Sequence, residues 1–185
     1  LGSSLGRPGP ALNDLHQVPR LTCVNAPAPR KWLAARESDV EVTPMSALGL
    51  KIIDEAVQVM NTWVNELDSR VGWADKSRAY RLLRAVLHEV RDHLSADEAA
   101  QLGAQLPTLI RGIYYEGWKP SKTPVKERSR EGFIARVQKS FQPDPMGDAD
   151  AAIRSVFWLL DRHVSEGEMN DVRSTFKLEI RELFD

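Results

Sequence analysis

Cysteine is nearly absent from this chain of 185 residues: Cys23 alone is present, which excludes an internal disulfide and a cysteine-based zinc site within one chain. No run approaches the roughly eighteen apolar residues that a membrane span needs. A charge excess of either sign is missing, since 25 Lys and Arg against 26 Asp and Glu leave a formal net charge of -1. The whole chain therefore carries no footprint of a nucleic-acid binder or a polybasic membrane protein. The P-loop, the dinucleotide fingerprint and the nucleophile elbow are all lacking. Nothing reads as a secretory signal, so a reduced, cytoplasmic compartment is expected. No stretch of alternating β-branched residues argues for a strand.

What is present divides at about residue 45. Residues 1–45 hold Pro8, Pro10, Pro19, Pro27, Pro29 and Pro44, six of the eleven prolines. Prolines this dense prevent a long helix, and no periodicity of 3.6 or 2.0 is sustained. The segment reads as a disordered, proline-rich arm. The pattern turns helical directly after Met45, and the chain opens on Leu1. Met45 is accordingly expected to be the true start, with the arm an upstream extension of the reading frame. Peptides from residues 1–44 in mass spectra of the native protein would refute that. A transit peptide is the alternative for the arm, but serines are few and amphipathicity is poor.

Residues 46–185 contain an internal repeat. Displaced by 70 residues, 80–114 aligns with 150–184 without a gap. The identities are Arg84/Arg154, Val86/Val156, His93/His163, Ser95/Ser165, Glu98/Glu168, Ile110/Ile180 and Arg111/Arg181. Apolar positions agree further: Leu83/Ile153, Leu87/Phe157, Val90/Leu160 and Leu94/Val164 keep one stripe, and Leu102/Val172, Leu106/Phe176 and Ile113/Leu183 another. Steps of three and four place each set on one helix face. Trp63/Phe133, Val64/Ile134 and Leu67/Val137 extend the match upstream. Ser95-x-x-Glu98 and Ser165-x-x-Glu168 both read as capping boxes, in which serine and glutamate satisfy each other's helix-start amides. Pro107 should kink its helix or open a new segment, whereas Lys177 stands at that place in the second copy.

Helices are expected near 47–68, 75–93, 96–105, 107–116, 129–141, 148–163 and 166–184. The fold class is all-α: a helical bundle from two tandem copies of a roughly three-helix unit, 47–114 and 129–184, related by a pseudo-twofold axis. Residues 46–185 form a single domain in this reading.

The segment L-x-x-x-E-A-x-x-L-x-x-Q-L-P (94–107), the block Arg111-Gly-x-Tyr114-Tyr115-x-Gly117-Trp118, and the shorter second copy ending HVSEGEMNDVRSTFKLEIRELF resemble the bacterial family called domain of unknown function 2267. The resemblance covers residues 47–184. It implies a helical fold and supplies no activity, substrate, cofactor or catalytic residue. The chain departs from the family pattern at Phe176-Lys177, where Leu-Pro is typical, so the helix over 166–184 is expected to run straighter.

Candidate chemistry is sparse. In His88-Glu89-Val90-Arg91-Asp92-His93 the histidines are five apart, about 140° round a helix, whereas a zincin needs them one turn apart. The plainer reading is a surface cluster, and no metal or cofactor is expected. An enzyme built on Glu89, Asp92 and His93 would need them to converge in a concave pocket. The repeated His93/His163 reads either as a pH-sensitive pair across the axis or, more simply, as a helix C-terminal residue whose partial positive charge suits the macrodipole. Repeated Arg111/Arg181 and Glu98/Glu168 are most cheaply caps or structural pairs.

The best candidate surface is 111–130, between the copies. Tyr114, Tyr115 and Trp118 lie beside Arg111, Lys119, Lys122, Lys126, Arg128 and Arg130, against only Glu116 and Glu127. Aromatics interleaved with cations can stack on planar ligands and neutralise phosphates, or form hot spots for a protein partner. Tyr115, Trp118, Lys119, Lys122, Lys126 and Arg128 are the residues that would carry either role. Tyr114, which matches Phe184, is expected in the core. The expected function is a non-enzymatic helical interaction module, with a protein partner or a homo-oligomer. Anionic-ligand or nucleic-acid binding through 111–130 is the alternative, and no membrane partner is expected.

Overall fold

The computed structural model describes Gly2 and residues 49–184, and the chain divides into two units near residue 42. The expectations for the arm and for Met45 lie outside the described residues. Among the described residues eight α-helices follow one another: α1 Lys51–Val71, α2 Lys76–His93, α3 Ala96–Gln105, α4 Thr108–Tyr115, α5 Arg130–Lys139, α6 Ala149–His163, α7 Glu166–Thr175 and α8 Leu178–Arg181. A 3-10 turn, Pro120–Lys122, lies between α4 and α5. No strand occurs among the described residues.

Local chemistry sets most boundaries. Asp75, Ser95, Ser129, Asp148 and Ser165 each accept a hydrogen bond from the third amide of the helix they open. Gly72 ends α1 in the left-handed region at φ 70, where its amide donates to the Asp68 carbonyl. Pro107 stands just outside α4 as its N-terminal cap, which suits a residue with no N–H to offer.

Two expectations are corrected. The helix over 166–184 is broken, because α7 stops at Thr175 and α8 begins at Leu178. Proline is not the cause. Phe176 is buried against His93 and Phe184, and the Arg181 guanidinium holds the Phe176 carbonyl at 2.8 Å and that of Ser174 at 2.7 Å. Burial of one ring and capping of the freed carbonyls fix the turn that Pro107 fixes earlier in the chain. The second correction concerns Ser165. Its hydroxyl accepts from the Glu168 amide at 3.4 Å, but Glu168 does not return to the cap, so the box is complete only at Ser95 and Glu98.

The core sits around α2 and α6. Helix α2 packs on α1, α4, α5 and α6, and α6 packs on α1, α2, α5 and α7. Leu83 and Ile153, Val86 and Val156, Leu102 and Val172 are all buried. Each such side chain contributes about 1.5–3 kcal/mol of transfer free energy. Aromatic contacts cross between the two stretches: His163 of α6 stacks on Trp63 of α1 at 4.6 Å, and His93 of α2 lies 5.2 Å from Phe133 of α5.

Candidate functional site

The 111–130 stretch is a strap more than an open loop. The Val125 amide donates to the Asp92 carbonyl at 2.8 Å, pinning the strap to the end of α2. Arg128, half-buried, donates to the carbonyls of His93 at 2.9 Å and Thr175 at 3.1 Å, so it caps the ends of α2 and α7 together. Arg111 donates to the Leu106 carbonyl through Nε and Nη2, at 3.2 and 2.9 Å. Arg130 pairs with Asp150. Lys119, Lys122 and Lys126 remain as exposed cations.

The aromatics turn inward. Tyr114 is fully buried and donates to the Ala99 carbonyl at 3.1 Å; burial pushes its phenol far above the usual range. Tyr115 donates to the same carbonyl at 3.3 Å, and its ring lies 5.3 Å from Trp118, which is half-buried against the core. Glycine is required at 103, because a Cβ there would land on the Tyr115 hydroxyl. Tyr115 and Trp118 thus pack together against the core, while the three lysines are exposed.

Glu89, Asp92 and His93 are not splayed on an open surface: His93 is buried, Glu89 nearly so, and Asp92 half-buried. His93 is fully buried; its Nδ1 donates to the Glu89 carbonyl at 2.7 Å, and its Nε2 accepts from Arg136 Nη2 at 3.2 Å. A guanidinium can only donate, so Nε2 is unprotonated and the ring is neutral. Burial pushes the imidazole down to about 4, against the Glu89 carbonyl bond, with Arg136 and Arg128 adding to the fall. His93 therefore carries no charge for a helix dipole, which corrects the simpler sequence reading. Burial raises the Glu89 carboxyl, opposed by Arg136, whose Nε lies 2.6 Å from its oxygen. Asp92 pairs with Arg91 at 2.8 Å. Glu89 and His93 tie α2 to α5 through Arg136, while Asp92 is held within α2 by Arg91.

Arg91 was not singled out by the sequence. It is buried, and Nη1 donates to the carbonyls of Tyr114 at 2.5 Å and Glu116 at 3.1 Å, closing the end of α4. Its companions there lie more than twenty residues away, beyond the reach of a periodicity argument.

Two clefts lie elsewhere. One, of about 490 Å³ between α1 and α6, is lined by Asn65, Glu66, Ser69, Arg70, Trp158 and Arg162. The other, of about 500 Å³, lies in the α5–α6 connection against Phe141 and Met146. Among the described residues no group of three or more His, Cys, Asp or Glu side chains could hold a metal ion. No described helix is long and apolar enough to cross a membrane.

A comparison with curated proteins finds no match. The model of a family described as "Uncharacterized conserved protein (DUF2267)" matches residues 60–183, from the middle of α1 to the end of the last turn, and the chain belongs to that family.

Proposed function

We propose that the chain is a doubled helical unit that works as a non-enzymatic interaction module, docking a second copy of itself through the first half of α1. The observation that carries this is the bare apolar face of that helix. With 3.6 residues per turn, Ile52, Ile53, Ala56, Val57, Val59, Met60, Trp63, Val64 and Leu67 fill about half of its circumference. From Trp63 onward the face is buried in the core. Before it, Ile52 is 72% exposed, Ile53 and Val57 44% each, and Val59 38%.

A face with this spacing fits another helix. Lys51, Asp54, Glu55 and Gln58 lie on the opposite arc, so the apolar side can meet its own copy without opposing like charges. Laid antiparallel across a twofold axis, each bare face closes the other. The doubling is supported by α3 and α7, which span equal lengths 70 residues apart, by the serines that open both, and by the crossed contacts of His93 and His163.

Sedimentation equilibrium on the full chain tests the reading. The expected result is a monomer–dimer equilibrium that Ile53→Asp with Val57→Asp displaces to monomer. A chain that stays monomeric at every concentration, or a dimer indifferent to those changes, overturns it. Anion binding on the strap is the weaker reading, supported by exposed Lys119, Lys122 and Lys126. Neutralising the three together should then abolish a salt-dependent affinity.

A further inference from the structure

We infer that the cleft between α1 and α6 is a nucleotide site, taking a flat ring on Trp158 and a phosphate between Arg70 and Arg162. Trp158 is half-exposed, and the guanidinium carbons of Arg70 and Arg162 lie 5.0 and 5.1 Å from its ring centroid. Helix spacing builds this arrangement: Glu66 and Arg70 stand one turn apart on α1, as do Trp158 and Arg162 on α6, where the Arg162 guanidinium lies over the indole. At about 490 Å³ the cleft is in the size range of small-molecule sites.

The contacts these groups make with the fold lie at its surface: both guanidiniums rest on the Trp158 ring and Arg162 meets Glu66. Seventy residues before Trp158 stands His88, whose Nε2 lies 2.7 Å from the Ile113 carbonyl, and seventy before Arg162 stands Asp92, held by Arg91. At 158 and 162 the chain instead places an aromatic surface and a cation facing water. Arg70 has no hydrogen bond or ion pair among the described residues. Arg162 meets Glu66 at 3.6 Å, while the nearer partner of that carboxylate is His163 at 2.9 Å. The two guanidiniums against one carboxylate leave the cleft positive in a chain that is otherwise slightly acidic.

Each remaining wall suits the same ligand. A base can stack on the indole once a guanidinium leaves its face to meet the phosphate, and guanidiniums offer paired donors that match phosphate oxygens. The Asn65 amide can both donate to and accept from a base edge, Glu66 can accept from an exocyclic amine, and the Ser69 hydroxyl adds a donor beside Arg70.

Isothermal titration calorimetry of the full chain with AMP, adenosine, inorganic phosphate and a short single-stranded oligonucleotide tests this. AMP is expected to bind more tightly than adenosine or phosphate alone, because stacking and charge then act together. Arg70→Ala with Arg162→Ala should weaken AMP by about tenfold or more. Trp158→Leu should do the same, while Trp158→Phe retains part of the affinity. Arg70 and Arg162 are exposed, so nearly unchanged circular dichroism melting should accompany the arginine losses, while Trp158→Phe keeps a ring packed against the core. An oligonucleotide that binds through the same residues as AMP identifies the source as a strand, and one that does not identifies it as a free nucleotide. Absence of AMP binding at low salt overturns the inference. So does phosphate binding as tightly as AMP, or AMP binding unaffected by the arginine changes.

Discussion

His93 and His163 both end long helices, and both rest on an aromatic ring from a helix of the other stretch, yet one is sealed and neutral while the other meets a carboxylate near the surface. The cause lies 70 residues apart on the partner helices. Position 136 on α5 is arginine, whose Nη2 donates to His93 Nε2. Position 66 on α1 is glutamate, and His163 Nε2 lies 2.9 Å from its oxygen. The bond to His163, with Arg162 adding, holds the Glu66 carboxyl below its ordinary range despite some burial. The identity of a histidine therefore does not fix its role. The charge of the group that meets its ring, and the water that reaches it, decide whether it acts as a neutral acceptor.

The largest way to break this contrast is to make the two stretches alike. Arg136→Glu would set a carboxylate against the neutral His93 ring and beside Glu89, which is only 13% exposed and would lose its partner. Removing one member of a buried pair costs about 3–5 kcal/mol. Glu66→Arg at the other site should cost about 1 kcal/mol or less, as is usual for exposed ion pairs. Urea unfolding of both variants measures the difference. Equal losses would mean that the two surroundings do not differ as described.

Acid provides the next test. The folded His93 titrates near 4, against an ordinary value of 6.5. Between those values the unfolded chain binds the proton and the folded one does not. Stability from this residue is thus full above pH 6.5 and is lost as pH falls towards 4, by about 3 kcal/mol in all. Glu89 acts in the opposite sense, since its raised carboxyl takes up a proton earlier in the fold than in the unfolded chain. The net slope is correspondingly shallower. Thermal melts from pH 7 to pH 4 should lose this slope in His93→Gln and keep it in His163→Gln. An unchanged profile in His93→Gln would remove the buried ring as its source.

How far these features could be read from residues depends on the range of their causes. The stripes through Val86 and Val156 were legible because helix period alone puts them on one face. The Ser95 cap was legible because its partner is three residues away. The break at Phe176 was not, since it comes from a buried ring and an arginine, with no proline to mark it. Arg128 reads in sequence as a cation of the 111–130 binding surface, but the carbonyls it holds belong to residues 35 and 47 positions distant. Trp158, Arg70 and Arg162 stand on two helices far apart in sequence, and Arg70 meets Trp158, and Arg162 meets Glu66, only once α1 lies beside α6. The face of α1 was visible as a pattern, but its bareness needed coordinates.

A third contrast lies on α3 and α7. Gly103 leaves room for the Tyr115 hydroxyl, whereas the position 70 residues later is Arg173, 5.5 Å from the Phe184 ring. Gly103→Ala should cost about 1–3 kcal/mol by overpacking, although alanine is the better helix former. Tyr115→Phe removes the nearest atom but leaves the ring carbon Cζ, 2.6 Å from the new Cβ, so the double variant should recover part of the loss. If calorimetric melting shows additive losses, the hydroxyl is not what requires the glycine.

The smallest effect separates the two serine caps. At Ser95 the backbone amide donates to Glu98 Oε2 at 2.8 Å and the hydroxyl accepts from the Glu98 amide at 3.3 Å. Burial alone would raise the Glu98 carboxyl, but its bonds to Ser95 and to the Thr175 hydroxyl bring it below its ordinary value. Glu98 thereby ties the start of α3 to the end of α7, with Thr175 Oγ1 at 2.9 Å. Glu168 has no such bonds, and burial with the nearby Asp171 raises it. Ser95→Ala should therefore cost about 1–2 kcal/mol and Ser165→Ala about 0.5–1 kcal/mol, because only the first dismantles a reciprocal pair. Glu98→Gln should keep most of the box, and Glu168→Gln should be neutral or slightly stabilising, as it removes a charge that burial disfavours. Chemical denaturation of the four variants ranks them. A Ser165→Ala loss equal to that of Ser95→Ala would show that the hydroxyl alone sets the cap, and that the returning glutamate adds nothing.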